Sequence, residues 1–112
     1  MLEMINSTRK ARGLGTLSLS ERLSRKARRH SRRMARERNL FHHSCLSCMF
    51  PSGSWNLLGE NVGTAPTLRR VHRMMLKSAG HRTILLNDKF TTVGVGVVRT
   101  GGSYWITEIF YA

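Results

Sequence analysis

Between Val93 and Tyr111 the chain has little freedom in what it folds into. Val93, Val95 and Val97 alternate with Gly94, Gly96 and Val98, a period of two in β-branched residues that reads as a strand. Thr100-Gly101-Gly102-Ser103 supplies a turn, and Tyr104 to Tyr111 reads as the returning strand. Glycines opposite the valine face mark a close approach by backbone or by another layer.

The earlier chain supplies helices. Leu2, Ile5 and Arg9 lie at helical spacing over residues 2–12, and Gly13 and Gly15 end that segment. Leu14, Leu17 and Leu19 make a short apolar crossing. Ser20 can accept a free amide of the next first turn, and Glu21 suits the dipole there. The spacing then predicts a helix to about Asn39, with Leu23, Ala27, His30 and Met34 in one narrow stripe. Arg22, Arg25, Arg28, Arg29, Arg32, Arg33 and Arg36 take the rest of its circumference. Residues 41–54 read as a loop punctuated by Pro51 and Gly53. Trp55 to Val62 reads as a strand or as a turn leading into one. Pro66 suits the first turn of a helix that buries Leu68, Val71 and Met75 and stops near Gly80. Ile84-Leu85-Leu86 follows as a compact apolar knot. Helices early and a hairpin late predict a single α+β domain over residues 1–112, with helices packed on an antiparallel sheet.

Charge bears on partners rather than on fold. Residues 9–38 hold twelve basic and two acidic residues, ten of the chain's net +13. Such a block seeks phosphate, sulfate, anionic lipid or an acidic polymer; the plainer reading is a solvated helix face in an arginine-rich composition. Modules that bind single-stranded nucleic acid interleave aromatics for stacking. Residues 9–38 contain none, which makes nucleic acid the weaker candidate. No apolar run approaches the roughly 18–20 residues of a membrane span. Met1 to Asn6 is too short and polar for the apolar region of a signal peptide, so export would depend on a signal outside these residues.

Reactive side chains are few. His43, Glu60 and His81 are two imidazoles and a carboxylate, a ligand set for a divalent transition metal, zinc first. Imidazoles also suit acid–base work near neutrality, and the same three groups can simply hydrogen-bond one another and pin helices to the sheet. Cys45 and Cys48 can close as a small disulfide, remain as thiols, or form half a metal site with His42 and His43. The remaining candidates read as packing. His30 lies on the buried stripe as a core histidine, and His72 is expected to be exposed. Met74 and Met75 fill core gaps, Trp55 and Trp105 bury area, and Asn61 holds backbone beside Glu60.

Several segments, taken in order, add a resemblance. They are Ile5-Asn6, Arg9, Gly13-Leu14 and Leu17; the long helix with Phe41-His42-His43-Ser44; Gly59-Glu60-Asn61-Val62; Ser78-Ala79-Gly80-His81-Arg82 with Ile84-Leu85-Leu86; and Phe90, Val93-Gly94-Val95-Gly96 and Trp105 to Phe110. Together they resemble the CAP superfamily (cysteine-rich secretory protein, antigen 5, pathogenesis-related 1) in its compact bacterial form.

The resemblance implies a three-layer α-β-α sandwich, helices on both sides of a small sheet, and a cleft lined by two histidines and two acids. His43, Glu60 and His81 match three of those groups, with His42 as a flanking residue. Where plant and animal relatives place the second acid, this chain has Met75, Leu76, Lys77 and Ser78; Glu108 is the only late candidate. The resemblance further implies an exported or envelope-located binding domain. Its cleft would hold zinc, another divalent ion or a small polar ligand. Its 21–38 helix would dock on anionic envelope polymer or lipid headgroups. A metal-assisted hydrolase acting on peptide or cell-wall material is the alternative, and a polyanion or nucleic-acid binder is the second.

Overall fold

The hairpin closes as its sequence requires. Gly101 and Gly102 take φ of 58° and 80°, the left-handed pair that a two-residue hairpin turn needs, and Thr100 pairs with Ser103. The computed structural model describes residues 1–112. In chain order the elements are α1 (Leu2–Ala11), β1 (Ser18–Leu19), α2 (Glu21–Glu37), a 3-10 turn (Leu46–Met49), β2 (Leu58–Ala65), α3 (Leu68–Lys77), α4 (Ala79–Leu85), β3 (Thr92–Thr100) and β4 (Ser103–Tyr111).

The strands lie in the order β1-β3-β4-β2. The three long strands are antiparallel, as expected. The sheet is nevertheless mixed, because β1 joins β3 in parallel through Ser18↔Thr92 and Leu19↔Val93. The apolar crossing thus becomes a short edge strand, and Ser20 N–H donates to the Val93 carbonyl (2.9 Å) just as α2 begins. The Ser20 hydroxyl then accepts from Leu23 N–H, the cap read from the sequence.

Two cores sandwich the sheet. On one face Leu23 and Ala27 of α2 pack with Phe50 and Ile109. On the other, Ile5, Val71, Met75 and Leu85 from α1, α3 and α4 pack on Val93, Ile106 and Phe110. These are the three layers expected. Gly94 and Gly96 are where α2 rests: a Cβ on Gly94 would lie 2.4 Å from Leu23 Cβ, and one on Gly96 2.2 Å from the Ala27 carbonyl carbon. Two buried serines fasten the contact. Val95 N–H donates to Ser24 Oγ (3.1 Å), and Ser31 Oγ donates to the Gly96 carbonyl (2.9 Å).

The helical layer opposite is tied by polar anchors. Arg9 is 1% exposed; its Nε donates to the Gly15 carbonyl and its Nη1 to the Leu85 and Asn87 carbonyls. Asn6 exchanges two hydrogen bonds with the Leu17 backbone. His72, expected to be exposed, is buried and shares a 2.8 Å hydrogen bond with Thr8, joining α3 to α1. Met75 is core, whereas Met74 is exposed at 51%. Trp55 and Trp105 are half-buried.

Elsewhere the boundaries move. β2 runs on to Ala65 rather than ending at Val62. The helix expected to stop near Gly80 ends at Lys77, where Ser78 turns extended (φ −96°, ψ 123°) and α4 starts afresh. Gly80, His81 and the Ile84-Leu85 knot therefore share one short helix.

Gly96→Ala is expected to destabilise the fold by about 2 kcal/mol or more, since the new methyl meets helix backbone rather than a yielding side chain. Gly80→Ala, with nothing within 4 Å of its added Cβ, serves as control and leaves stability unchanged or raised. Denaturant unfolding of the two variants checks this.

Candidate functional site

Glu60 points from β2 to the α2 side of the sheet, because it pairs with Ile109, which packs under α2. Its side chain is 4% exposed. The loop after α2 brings three donors to it. His42 Nδ1 donates to Oε1 at 2.9 Å, His43 backbone N–H to the same oxygen at 3.0 Å, and His43 Nδ1 to Oε2. Burial works against a charged Glu60, but the His43 and His42 hydrogen bonds outweigh it and hold the carboxyl below its ordinary value.

His30, on the sheet-facing stripe of α2, completes the group. Its Nε2 donates to the Phe41 carbonyl at 2.6 Å, and its ring stacks on His43 with centroids 3.9 Å apart and planes at 24°. Burial lowers the His30 pKa, the Phe41 carbonyl acting in the opposite sense. Because carbonyl and carboxylate oxygens only accept, His30 carries a proton on Nε2 and His43 on Nδ1. That is the arrangement in which a ligating imidazole is usually held by its second nitrogen. One donor atom each from His30, His43 and Glu60 lies within 4.8 Å of the others, a group that could hold a metal ion. By donor type the residues fit a divalent transition metal.

The sequence named His43, Glu60 and His81; the structure brings His43 and Glu60 together and adds His30 in place of His81. His81 sits on α4 with both nitrogens engaged, Nδ1 accepting from Ser78 Oγ (2.7 Å) and Nε2 donating to the Val62 carbonyl (3.2 Å). It borders a separate, more apolar hollow shared with Leu40, Val71, Met74 and Met75. Its backbone carbonyl accepts from the buried Asn61 amide, so Asn61 holds backbone as expected, though that of α4. His30 was read only as packing. The signal that could have flagged it is a histidine in the middle of an otherwise aliphatic stripe.

Glu108 does not supply the second acid. It pairs with Asn61 and Val95, so it points to the face opposite Glu60. It is fully buried, and neither carboxyl oxygen has a hydrogen-bond partner. Burial pushes its carboxyl up to about 7, with the neighbouring Asn61 amide pulling the other way. Beside the site, Cys45 and Cys48 are joined as a disulfide across the 3-10 turn.

The family model described as the cysteine-rich secretory protein family, CAP, matches residues 2–111. The chain is 35% identical to the YkwD protein of Bacillus subtilis over an alignment of 116 positions that takes in 96% of this chain and 44% of that protein. It thus spans under half of that relative. Among solved structures, an outer surface protein of Borrelia burgdorferi superposes with a TM-score of 0.86 at 20% identity, over 98% of this chain and 87% of that one. An extracellular protein of Bacillus anthracis containing an SCP domain gives 0.76 at 25% identity, over 99% of this chain and 39% of that one. A cysteine-rich secretory protein of Staphylococcus aureus gives 0.79, also at 25%, over 98% of this chain and 36% of that one.

The two glutamates make opposite demands on pH. Glu60, held low, contributes stability above the ordinary glutamate value that is lost as acid protonates it. Glu108 keeps its proton up to about 7 in the fold but releases it near 4.5 when unfolded, so stability falls as pH rises across that window. The loss amounts to roughly 3 kcal/mol. Glu108→Gln is expected to abolish this decline and raise Tm above about pH 7, read from thermal melts across the window; an unchanged decline in the variant would overturn the assignment.

Proposed function

This chain belongs to the CAP, or cysteine-rich secretory protein, family, and on that premise we propose that it is a binding module of the cell exterior or envelope. The observation that carries the reading is the buried carboxylate of Glu60, held by His42 and His43 with His30 stacked alongside. The His30, His43 and Glu60 group takes a divalent ion, zinc by donor preference, or a small polar ligand in its place, the two imidazoles ligating and Glu60 bracing His43. When bound, such an ion supplies a positive centre that polarises a ligand oxygen. The chain's own part is to hold the donors: the Phe41 carbonyl orients His30, and Glu60 orients His43 and fixes its tautomer.

One further observation supports the location: a neighbour of 25% identity is itself described as extracellular. The exposed arginines of α2 dock the domain on anionic envelope polymer or lipid headgroups. A hydrolase scheme built on paired carboxylates finds only Glu60 grouped with His30 and His43, because Glu108 faces the other side of the sheet.

Calorimetric titration with zinc at neutral pH tests the metal reading. Wild type and His81→Ala are expected to take up the ion, and the His30→Ala, His43→Ala double variant to lose uptake. Glu60→Gln is expected to weaken binding about 10–100-fold. Uptake that survives the double variant, or that disappears with His81→Ala alone, would remove the assignment.

A further inference from the structure

Above the stacked histidines lies an open hollow of about 240 Å³ lined by Lys26, Arg29, His30, Arg33, His43 and Met49. We propose that this hollow binds the phosphate groups of a phosphodiester chain, an acidic polymer strand lying along one flank of α2. The inference rests on the docking role proposed for α2 and gives that role a site and a ligand class.

Three observations carry it. First, Lys26, Arg29 and Arg33 stand at i, i+3 and i+7, one ridge of the helix about 10 Å long, which presents a row of cations rather than a single point. Second, two of those three cations lack counter-charges. No carboxylate lies within ion-pair distance of Lys26 or Arg29, and Arg33 reaches only Glu37, at 3.3 Å on the exposed surface. The one carboxylate beneath, Glu60, is already occupied by His42 and His43. Third, the wall is polar: Met49 is the only apolar side chain lining the hollow. The apolar stripe of α2 is turned into the sheet, so the helix has no face to insert among acyl chains. A recess of cations with one apolar side chain in its wall favours a soluble anionic strand over a bilayer.

Phosphate suits this recess better than a lone carboxylate does. The arginine fork can donate two parallel hydrogen bonds to one phosphate, and a hollow wider than a single oxyanion leaves room for the chain to enter and leave. A diester has no basic oxygen that needs a proton, so no titration of the histidines is required. Nor does the recess need a metal, which separates this proposal from the zinc reading.

The test uses the whole chain in the presence of a chelator. Short poly(glycerol phosphate) is titrated into wild type, into Lys26→Gln/Arg29→Gln, and into Arg28→Gln/Arg32→Gln, which removes the same charge from the other flank of α2. The first double variant is expected to lose affinity about tenfold or more and to show a shallower salt dependence, while the second stays near wild type. Equal losses in both would overturn the hollow and leave only diffuse attraction to α2. No binding by wild type to the polymer or to phosphatidylglycerol vesicles would overturn the docking reading together with the site. Tighter binding to the vesicles than to the polymer, lost in the Lys26/Arg29 variant, would overturn the strand and assign the hollow to a lipid headgroup.

Discussion

The arrangement depends on how closely the α2 backbone lies on β3. A helix normally stands off a sheet by the depth of two interleaved side chains. Here Gly94 and Gly96 remove one of those layers, and the backbone of α2 at Leu23 and Ala27 drops into the space. At that distance short side chains can reach across. Ser24 takes the Val95 amide, and Ser31 reaches both the Gly96 carbonyl and the Thr107 hydroxyl. His30 is the residue before Ser31, so the seat that fixes Ser31 also fixes where an imidazole emerges beside β2. The candidate site is therefore a consequence of packing in the middle of the sheet.

A buried acid on each side of that sheet shows how environment, rather than residue type, decides charge. Glu60 is nearly inaccessible yet ionised, because three donors from the loop after α2 compensate its lost hydration. Glu108, paired with the very next residue of β2, has no such donors and stays protonated until about pH 7. The exposed cations of α2 add a third environment. Arg22 lies over the Phe50 ring and donates to the Met49 carbonyl, and Arg33 lies over Phe41; Lys26, Arg29 and Arg33 shape what can approach His30 and His43 from outside.

Patterns that depend on neighbours along the chain are legible without coordinates. The valine–glycine alternation, the Gly101-Gly102 turn, the Ser20 cap and the apolar stripe of α2 all follow from periods of two or 3.6 and from short-range turn and cap chemistry. Less legible are features settled by partners distant in sequence. Arg9 sits at a helical core position, yet it is tolerated there only because three carbonyls, two of them around the end of α4, converge on its guanidinium. His72 looks solvent-facing by helical phase, but α1 lies across α3 and Thr8 meets it. The break at Ser78 carries no proline, and local propensity does not announce it.

What the sequence by itself determines is the β3-β4 hairpin, the first two helices with the buried stripe of α2, the family, and two of the three members of the His/His/Glu group. Each of these is written in spacing or in short ordered motifs. Only the tertiary structure decides that His30 rather than His81 stands beside His43 and Glu60, and that Glu108 faces the other layer. The physical reason is that strand pairing settles which face a side chain takes, one residue of register reversing it. Helix seating on two glycines then decides which imidazole the sheet meets, and neither is encoded locally.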